Sequence, residues 1–471
     1  MNPPKPKSRD GEVSLRRYVR LFRDDILSAQ PARLYRAWMA EFKTPFFKSF
    51  LVNQPVLVKQ VLRDSATDFP KSTRVSEGLR PLLGDSVFLT NGPAWERQRR
   101  IIDPAFEGGR LKDTFPAMWA ASDAMVSRMA CGAVEVEEMA SFVAADVIFR
   151  TLFSIPIEDE IAAQVFREFR DYQRTSPLVN LAAFIPLPRW MPRLHKRRTR
   201  QSADSIRSLI RQLCDRRMDE IKAGTAPDDL ATKIMTTKDP ETGEIFTTEE
   251  MVDQVAIFFL AGHETSASAF GWALYLLATH PEWQAKVAEE AAQLETGEFR
   301  EISKLKITRD IFREALRLYP PVPMMVREAT CPHEFRDRKV PKGSQIVLSP
   351  WHLHRHERLW DNPDGFDPTR WSTENGKECM RDAFIPFSAG PRVCTGAGFA
   401  MVEGVLLLAR AVKAFEFRAI EGRVPVPVAH LTVRAKDGIW LNIRPRAQEP
   451  SADDPVLKVS KDVKSDRRRQ A

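Results

Sequence analysis

Phe384-Ile385-Pro386-Phe387-Ser388-Ala389-Gly390-Pro391-Arg392-Val393-Cys394-Thr395-Gly396-Ala397-Gly398-Phe399-Ala400 is the stretch of this 471-residue chain from which the rest is read. Glycines at 390, 396 and 398 permit close backbone approach and positive φ around a single cysteine. A helix expected over about Phe399–Lys413 directs its positive N-terminal end back toward Cys394. Backbone N–H groups and that dipole both favour a thiolate. A thiolate so held is a nucleophile, a metal ligand or a buried structural thiol, and the loop alone leaves the three open.

Outward from this loop, the most prominent element is a long helix. Thr247 and Glu250 fit a capping box, and helix-forming residues run unbroken from there to Thr279, just before His280-Pro281. At 1.5 Å per residue that is a helix ~48 Å long. Such a helix, apolar on most faces, belongs at the centre of a domain, so polar residues in its middle need a reason. From about 93 to 320 the pattern is helical, with proline-rich breaks such as Phe184-Ile185-Pro186-Leu187-Pro188. Phe46–Val52 reads as a strand, and Asn53 with Pro55 supplies an N-cap and first turn for a helix over Val56–Leu62. Short β-like runs return only at Gln345–Leu348, Phe415–Ile420, His430–Arg434 and Ile439–Ile443. The fold class is therefore mainly α: a large helical domain with small peripheral β-sheets.

Hydrophobic residues make up 43% of the chain, enough for a large core. No Gly/Ser-rich linker or internal repeat interrupts it, so a single domain over 13–446 is expected. The polar, charged stretches 1–12 and 447–471 read as disordered tails. Lys and Arg number 71 against 63 Asp and Glu, a net charge of +8. The basic runs His195–Arg200 and Arg467–Arg469 have no interleaved aromatic residues, which argues against nucleic acid and leaves a solvated face or an acidic protein partner. The five cysteines, at 131, 214, 331, 379 and 394, show no CxxC pair and no zinc-type spacing, as expected of reduced thiols in a cytoplasmic protein. The first 45 residues contain no apolar h-region, and the longest apolar stretch, 252–279, is broken by Asp253, His263 and Glu264. Neither a signal peptide nor a membrane anchor is expected.

The spacing Phe-x-x-Gly-x-Arg-x-Cys-x-Gly at 387, 390, 392, 394 and 396 resembles the haem-binding signature of the cytochrome P450 family. The resemblance implies a cytochrome P450 fold and haem b, with Cys394 as the axial iron ligand, Phe387 packed beside it, Gly390 and Gly396 shaping the loop, and Arg392 meeting a haem propionate. Ala261-Gly262-His263-Glu264-Thr265-Ser266 resembles the family's oxygen-activation motif. Ala261 and Gly262 would then let a ligand approach the helix, and Glu264 and Thr265 would pass protons to bound dioxygen. Glu314 and Arg317 lie three apart on one helix face. With Arg370, from Phe366-Asp367-Pro368-Thr369-Arg370-Trp371, they resemble the family's buried structural network. Trp95 and Arg99, at i and i+4, and Arg327 resemble its other propionate contacts. His263, His354 and His356 fit no local metal site and are expected to make structural hydrogen bonds.

The resemblance spans roughly residues 45–445 and implies a monooxygenase that inserts one atom of O2 into an organic substrate. No flavin or NAD fingerprint occurs, so a separate ferredoxin or flavodoxin with an NAD(P)H-dependent reductase is implied. The substrate-facing regions are expected at 71–91, 173–190, Val255–Phe259, Pro321–Val326 and 428–434. Their Leu, Val, Phe, Pro and Met content suggests an apolar substrate of terpenoid, steroid or fatty-acyl type. Two other readings stand beside this one: a peroxide-using or isomerising haem-thiolate enzyme, and a non-catalytic haem sensor or ligand-binding protein.

Overall fold

Helix Thr248–Thr279 runs through the middle of the molecule, and both its ends follow from the sequence. At the start, Glu250 N–H donates to Thr247 Oγ1 (3.2 Å) while Thr247 N–H donates to Glu250 Oε2 (2.9 Å), closing the expected capping box. At the end, His280 precedes Pro281, which disfavours helical backbone, and Pro281 opens the next helix, Pro281–Ala292. Residues on every face of the central helix are buried, Gln254, His263 and Trp272 among them. It therefore needs neighbours all round. Helices Val136–Phe153, Arg197–Ala223, Lys306–Leu318 and Ala397–Ala414 supply them.

The computed structural model describes residues 2–9, 11, 13–43, 47–107, 109–175 and 197–446. The Phe184–Pro188 break, most of the 173–190 region, the basic run Arg467–Arg469 and the tail 447–471 lie outside the described residues.

The strands are short and peripheral. A four-stranded sheet orders β1 (Met39–Lys43), β2 (Lys48–Val52), β7 (Gln345–Leu348) and β4 (Met325–Glu328). β2 and β7 are parallel, with Val52 opposite Leu348, and β4 returns antiparallel with Arg327 opposite Ile346. β5 (His333–Phe335) and β6 (Arg338–Val340) form a hairpin. β3 (Gly132–Glu135), β11 (Trp440–Pro445) and β8 (Phe415–Ala419) make a three-stranded sheet. β9 (Pro427–Ala429) pairs with β10 (Val433–Ala435).

Several expectations are corrected. β3 interrupts the helical region; its four residues are exposed or half-buried, so no hydrophobic pattern marks it. The run His430–Arg434 is mostly a turn between β9 and β10, with His430 N–H donating to Thr432 O. The helix expected over Val56–Leu62 spans Pro55–Lys59 and then widens into a π-turn over Gln60–Asp64. Its N-cap is Gln54, because Asn53 Nδ2 is used instead on the carbonyls of Leu34 (2.9 Å) and Ala37 (3.3 Å). Residues 2–9 do not fray: Pro3 and Pro6 are buried, Tyr319 Oη donates to Pro4 O (2.9 Å), and Lys5 pairs with Asp364. Prolines lose little entropy on ordering, which lowers the cost of laying this segment on the body.

Candidate active site

The cysteine loop is fixed from both sides. Gly390 has φ +70°, and a Cβ there would collide with the carbonyl of Leu62. The π-turn carries that carbonyl onto the loop, and only glycine tolerates the contact. Gly396 and Gly398 do not share the expected positive φ; Gly396, at φ −85°, borders open space. Cys394 N–H donates to Phe387 O (2.9 Å), and Phe387 is half-buried against the core. Helix Ala397–Ala414 begins three residues past the cysteine, with Ala397 N–H on Cys394 O (3.3 Å).

Cys394 is exposed, yet burial pushes its thiol pKa up, against the opposing pull of the Gly396 N–H and the Arg99 charge. The expected thiolate is thus not favoured by the protein alone. The two observations agree if the surface that Cys394 exposes borders a space inside the molecule. Ala261 tells the same story from the central helix: it is exposed, while Leu260, His263 and Glu264 beside it are buried. The helix that follows the cysteine loop and the central helix are tied together by Ser266 Oγ donating to Glu403 Oε2 (2.6 Å).

Thr265 Oγ1 donates to Ala261 O (2.5 Å), and Glu264 Oε1 accepts from Thr432 Oγ1 and from Arg434, each at 2.6 Å. Both side chains therefore hold structural bonds, but the Thr265 oxygen keeps acceptor capacity. Glu264 also lines a polar cavity of about 170 Å³, together with Glu137, Ser141, His263 and Arg434. His263 does not face the open side: its Nε2 lies 2.6 Å from Ser141 Oγ, and burial, with Arg434 and Arg170, holds its pKa down at about 3. Gly262 is corrected. A Cβ there would collide with Ile148, so this glycine serves helix packing rather than approach of a ligand. Val255, Ile257 and Phe259 are likewise core residues, with Phe259 against Phe169 at 4.5 Å between centroids.

A cluster of cations surrounds Trp95. Arg392, Lys71 and Arg99 lie 4.9, 5.7 and 6.0 Å from its ring centroid. Arg327 bridges the backbone of Lys71 and is buried, which lowers its pKa to about 10, with Arg392 adding to the effect. Arg99 donates to Val393 O (2.8 Å), next to the cysteine, and Arg392 to Ala66 O (2.7 Å). Arg392 Nε is buried without a partner among the described residues. Burial, and then the charges of Arg327, Arg392 and Arg99, push the Lys71 ammonium down to about 6. An anion among these groups would offset their repulsion and restore the charge on Lys71. Lys71 was not singled out from the sequence, since nothing marks it among 71 basic residues.

Glu403 was also missed. It is buried, its pKa is raised to about 8 by that burial, and its Oε1 has no partner among the described residues. A glutamate in the apolar run Met401-Val402-Glu403-Gly404-Val405-Leu406 is the signal that was available.

Behind the loop, Glu314, Arg317 and Arg370 meet. Arg317 clasps Glu314 through Nε (2.9 Å) and Nη2 (2.8 Å), and its remaining donors reach the carbonyls of His354, Pro363 and Gly365. Arg370 Nε adds a 3.2 Å bond to Glu314. His354 Nε2 in turn accepts from Ile385 N–H (2.9 Å), connecting the network to the loop. His356 stacks on Trp38 at 4.4 Å.

A thiol exposed on its surface yet shielded from solvent, an uncovered turn of the central helix and a rim of cations fit an apolar group that takes a thiolate ligand and carries carboxylates at its edge. The Cytochrome P450 family profile matches residues 39–442, and the chain belongs to that family. It is 31% identical over 398 residues to cyclooctatin synthase of Streptomyces melanosporofaciens, covering 82% of this chain and 84% of that one. It is also 31% identical over 390 residues to cyclooctat-9-en-7-ol 5-monooxygenase of the same organism (80% and 81% covered), and 31% identical over 417 residues to human cytochrome P450 4A11 (82% and 78%). The crystal structure of the cytochrome P450DA heme domain superposes with a TM-score of 0.77 at 24% identity, over 95% of this chain and 98% of that one, which confirms the fold. The chain is thus a cytochrome P450 monooxygenase with haem b as its cofactor, using O2, an organic substrate and a redox partner. No helix among the described residues is long and apolar enough to cross a membrane.

Proposed function

We propose that this enzyme hydroxylates an apolar organic substrate of terpenoid, steroid or fatty-acyl type, with Cys394 as the axial haem ligand and electrons from a separate ferredoxin or flavodoxin. The observation that carries the assignment is Cys394: a single thiol that is exposed yet raised in pKa by burial, in a loop closed by Gly390. Haem, once bound, supplies the redox chemistry that activates dioxygen. Coordination to Cys394 would remove the thiol proton that burial favours. Phe387 and Gly390 hold the loop; Trp95 would donate to a haem carboxylate, and Arg99, Arg327, Arg392 and Lys71 would pair with the carboxylates and be relieved of their mutual repulsion.

Thr265 Oγ1 is the group that would hand on a proton, accepting at its oxygen while its hydroxyl hydrogen moves from Ala261 O to the reacting site. Glu264 would reload it, drawing from the polar cavity behind the helix, where Glu137, raised to about 7 by burial, is a proton store within reach of solvent. Such a relay favours dioxygen chemistry over the peroxide-using or isomerising alternative, and Thr265→Ala is expected to uncouple NAD(P)H consumption from product formation. Full coupling in that variant would overturn the relay.

Exposed Val75 and Phe88, within the expected substrate region 71–91, and two relatives named for cyclooctatin and cyclooctat-9-en-7-ol chemistry support the apolar substrate class. The +8 net charge suits an acidic electron donor. Electron transfer should therefore slow as salt rises. All five cysteines are free, in keeping with a reducing cytoplasm. The deciding experiment is the absorption spectrum of the reduced, carbon monoxide-exposed protein beside Cys394→Ser. A strongly red-shifted thiolate Soret band in the parent, lost in the variant, is expected; persistence of the band in the variant would sink the ligand assignment.

A further inference from the structure

Away from the haem site, Asp68, Cys331 and His333 converge where the turn after Gln60–Asp64 meets the connection from β4 to β5. His333 Nε2 lies 3.3 Å from Cys331 Sγ and 3.5 Å from Asp68 Oδ2. The three donor atoms all fall within 4.8 Å of one another. For a tetrahedral zinc ion with bonds of about 2.3 Å to sulfur and 2.0–2.2 Å to nitrogen and oxygen, the S···N edge is about 3.6 Å and the N···O edge about 3.4 Å. The observed edges lie within a few tenths of an ångström of both.

The trio meets at one imidazole nitrogen. One imidazole nitrogen faces both a thiol and a carboxylate, and a single hydrogen on Nε2 serves only one of them. A cation at the centre serves all three. The imidazole is also held in place, with its centroid 4.4 Å from that of Phe69. All three ligand residues are half-buried, so an ion has a path in while the site keeps some shelter.

We propose that Asp68, Cys331 and His333 bind one borderline-soft divalent cation of the zinc type, with water as the fourth ligand. The thiolate–imidazole–carboxylate donor set selects zinc-like ions over magnesium or calcium. Binding replaces the Cys331 S–H bond with a metal–sulfur bond and releases one proton to solvent. The ion ties together two chain segments that already share backbone bonds, Thr330 N–H on Asp68 O (2.9 Å) and Glu328 N–H on Pro70 O (3.0 Å). Lys71 lies three residues beyond Asp68 and Arg327 four residues before Cys331, so the ion braces the joint that carries two of the clustered cations. This site is independent of which residue ligates the haem.

The test is calorimetric titration of zinc chloride into the haem-loaded full chain, alongside Cys331→Ser, His333→Ala and the milder Asp68→Asn, with the haem spectrum as the check on folding. A saturable site at one zinc per chain is expected, with a heat that varies with the buffer's ionisation enthalpy because a proton is released. The site should vanish in Cys331→Ser and His333→Ala and weaken in Asp68→Asn, and zinc should raise the melting temperature of the parent alone. No saturable site, equal binding in the folded variants, or an equal response to magnesium chloride would each overturn the proposal.

Discussion

Two clusters of arginine in this molecule solve opposite problems. Around Glu314, the guanidinium groups of Arg317 and Arg370 are buried, but they meet a carboxylate and a set of backbone carbonyls that leave Arg317 with no unused donor. Around Trp95, Arg99, Arg327, Arg392 and Lys71 crowd together, with Asp103 paired to Arg99 and the charge of Glu96 acting on Arg392, fewer carboxylates than cations among the described residues. The first cluster is complete as the chain folds. The second is complete only with an anion the chain does not encode. Buried charge that is satisfied points to architecture, and buried charge that is not points to a ligand.

The sharpest way to break this contrast is to remove one member from each side. Arg317→Ala leaves the Glu314 carboxylate in the core with Arg370 as its one remaining guanidinium partner and removes the Arg317 donors from three backbone carbonyls, and is expected to cost about 3 kcal/mol, enough to lower the yield of folded protein. A soluble, haem-loaded Arg317→Ala variant of unchanged melting temperature would show that the network is ornamental. Arg327→Ala should act oppositely: the haem-free protein keeps its stability, while haem dissociates faster by on the order of tenfold, about 1.4 kcal/mol of lost holding energy. Transfer of haem to an excess of an apo-haemoprotein acceptor measures that rate. Lys71→Met sharpens the comparison further, because removing an amine that burial and its neighbours keep from carrying its charge should stabilise the haem-free state by about 1–2 kcal/mol while loosening haem. Destabilisation of the haem-free form by Lys71→Met would mean that its ammonium is adequately paired by the Val87 carbonyl it touches.

The smallest effect is on pH. His263, His352 and His354 are held near 3 and His356 near 4, mainly by burial, against 6.5 when unfolded. Below pH 6.5 the unfolded chain takes up protons that these imidazoles refuse in the native state, so their contribution is lost as pH falls. Glu137 and Glu403, raised to about 7 and about 8 from 4.5, act the other way, and their contribution is lost as pH rises through those values. Four imidazoles against two carboxyls below pH 6.5, and those carboxyls against the Lys71 amine above it, predict a melting temperature of the haem-free protein that climbs from pH 4.5 to 6.5 and then levels towards pH 8. A flat profile below 6.5 would mean that the histidines gain water in solution.

How far the sequence reaches follows the same division. The central helix was legible because capping and termination are local events, written in Thr247, Glu250 and Pro281. The network was legible because Glu314 and Arg317 sit one helical turn apart. What escaped was set by contacts distant in sequence. The π-turn at Gln60–Asp64 has no propensity signature and shows its purpose only against Gly390. Gly262 looked like a ligand-approach glycine until Ile148 was found against it. Lys71 and Glu403 gain their properties from neighbours on other elements, which no local pattern records.

The contact that closes the cysteine loop also fixes when, in the life of the molecule, haem can be captured. Arg392 reaches the carbonyl of Ala66 across 326 residues of chain, and Gly390 rests on Leu62 over a similar span. At ribosomal speeds of roughly 5–20 residues per second, about 15–65 s separate the synthesis of the two sides of that contact. A nascent chain therefore carries its early half through much of translation with no pocket to offer. Cofactor loading through Cys394 thereby becomes a late event. Low haem occupancy on overexpression would then report on that waiting period rather than on the affinity of the finished site.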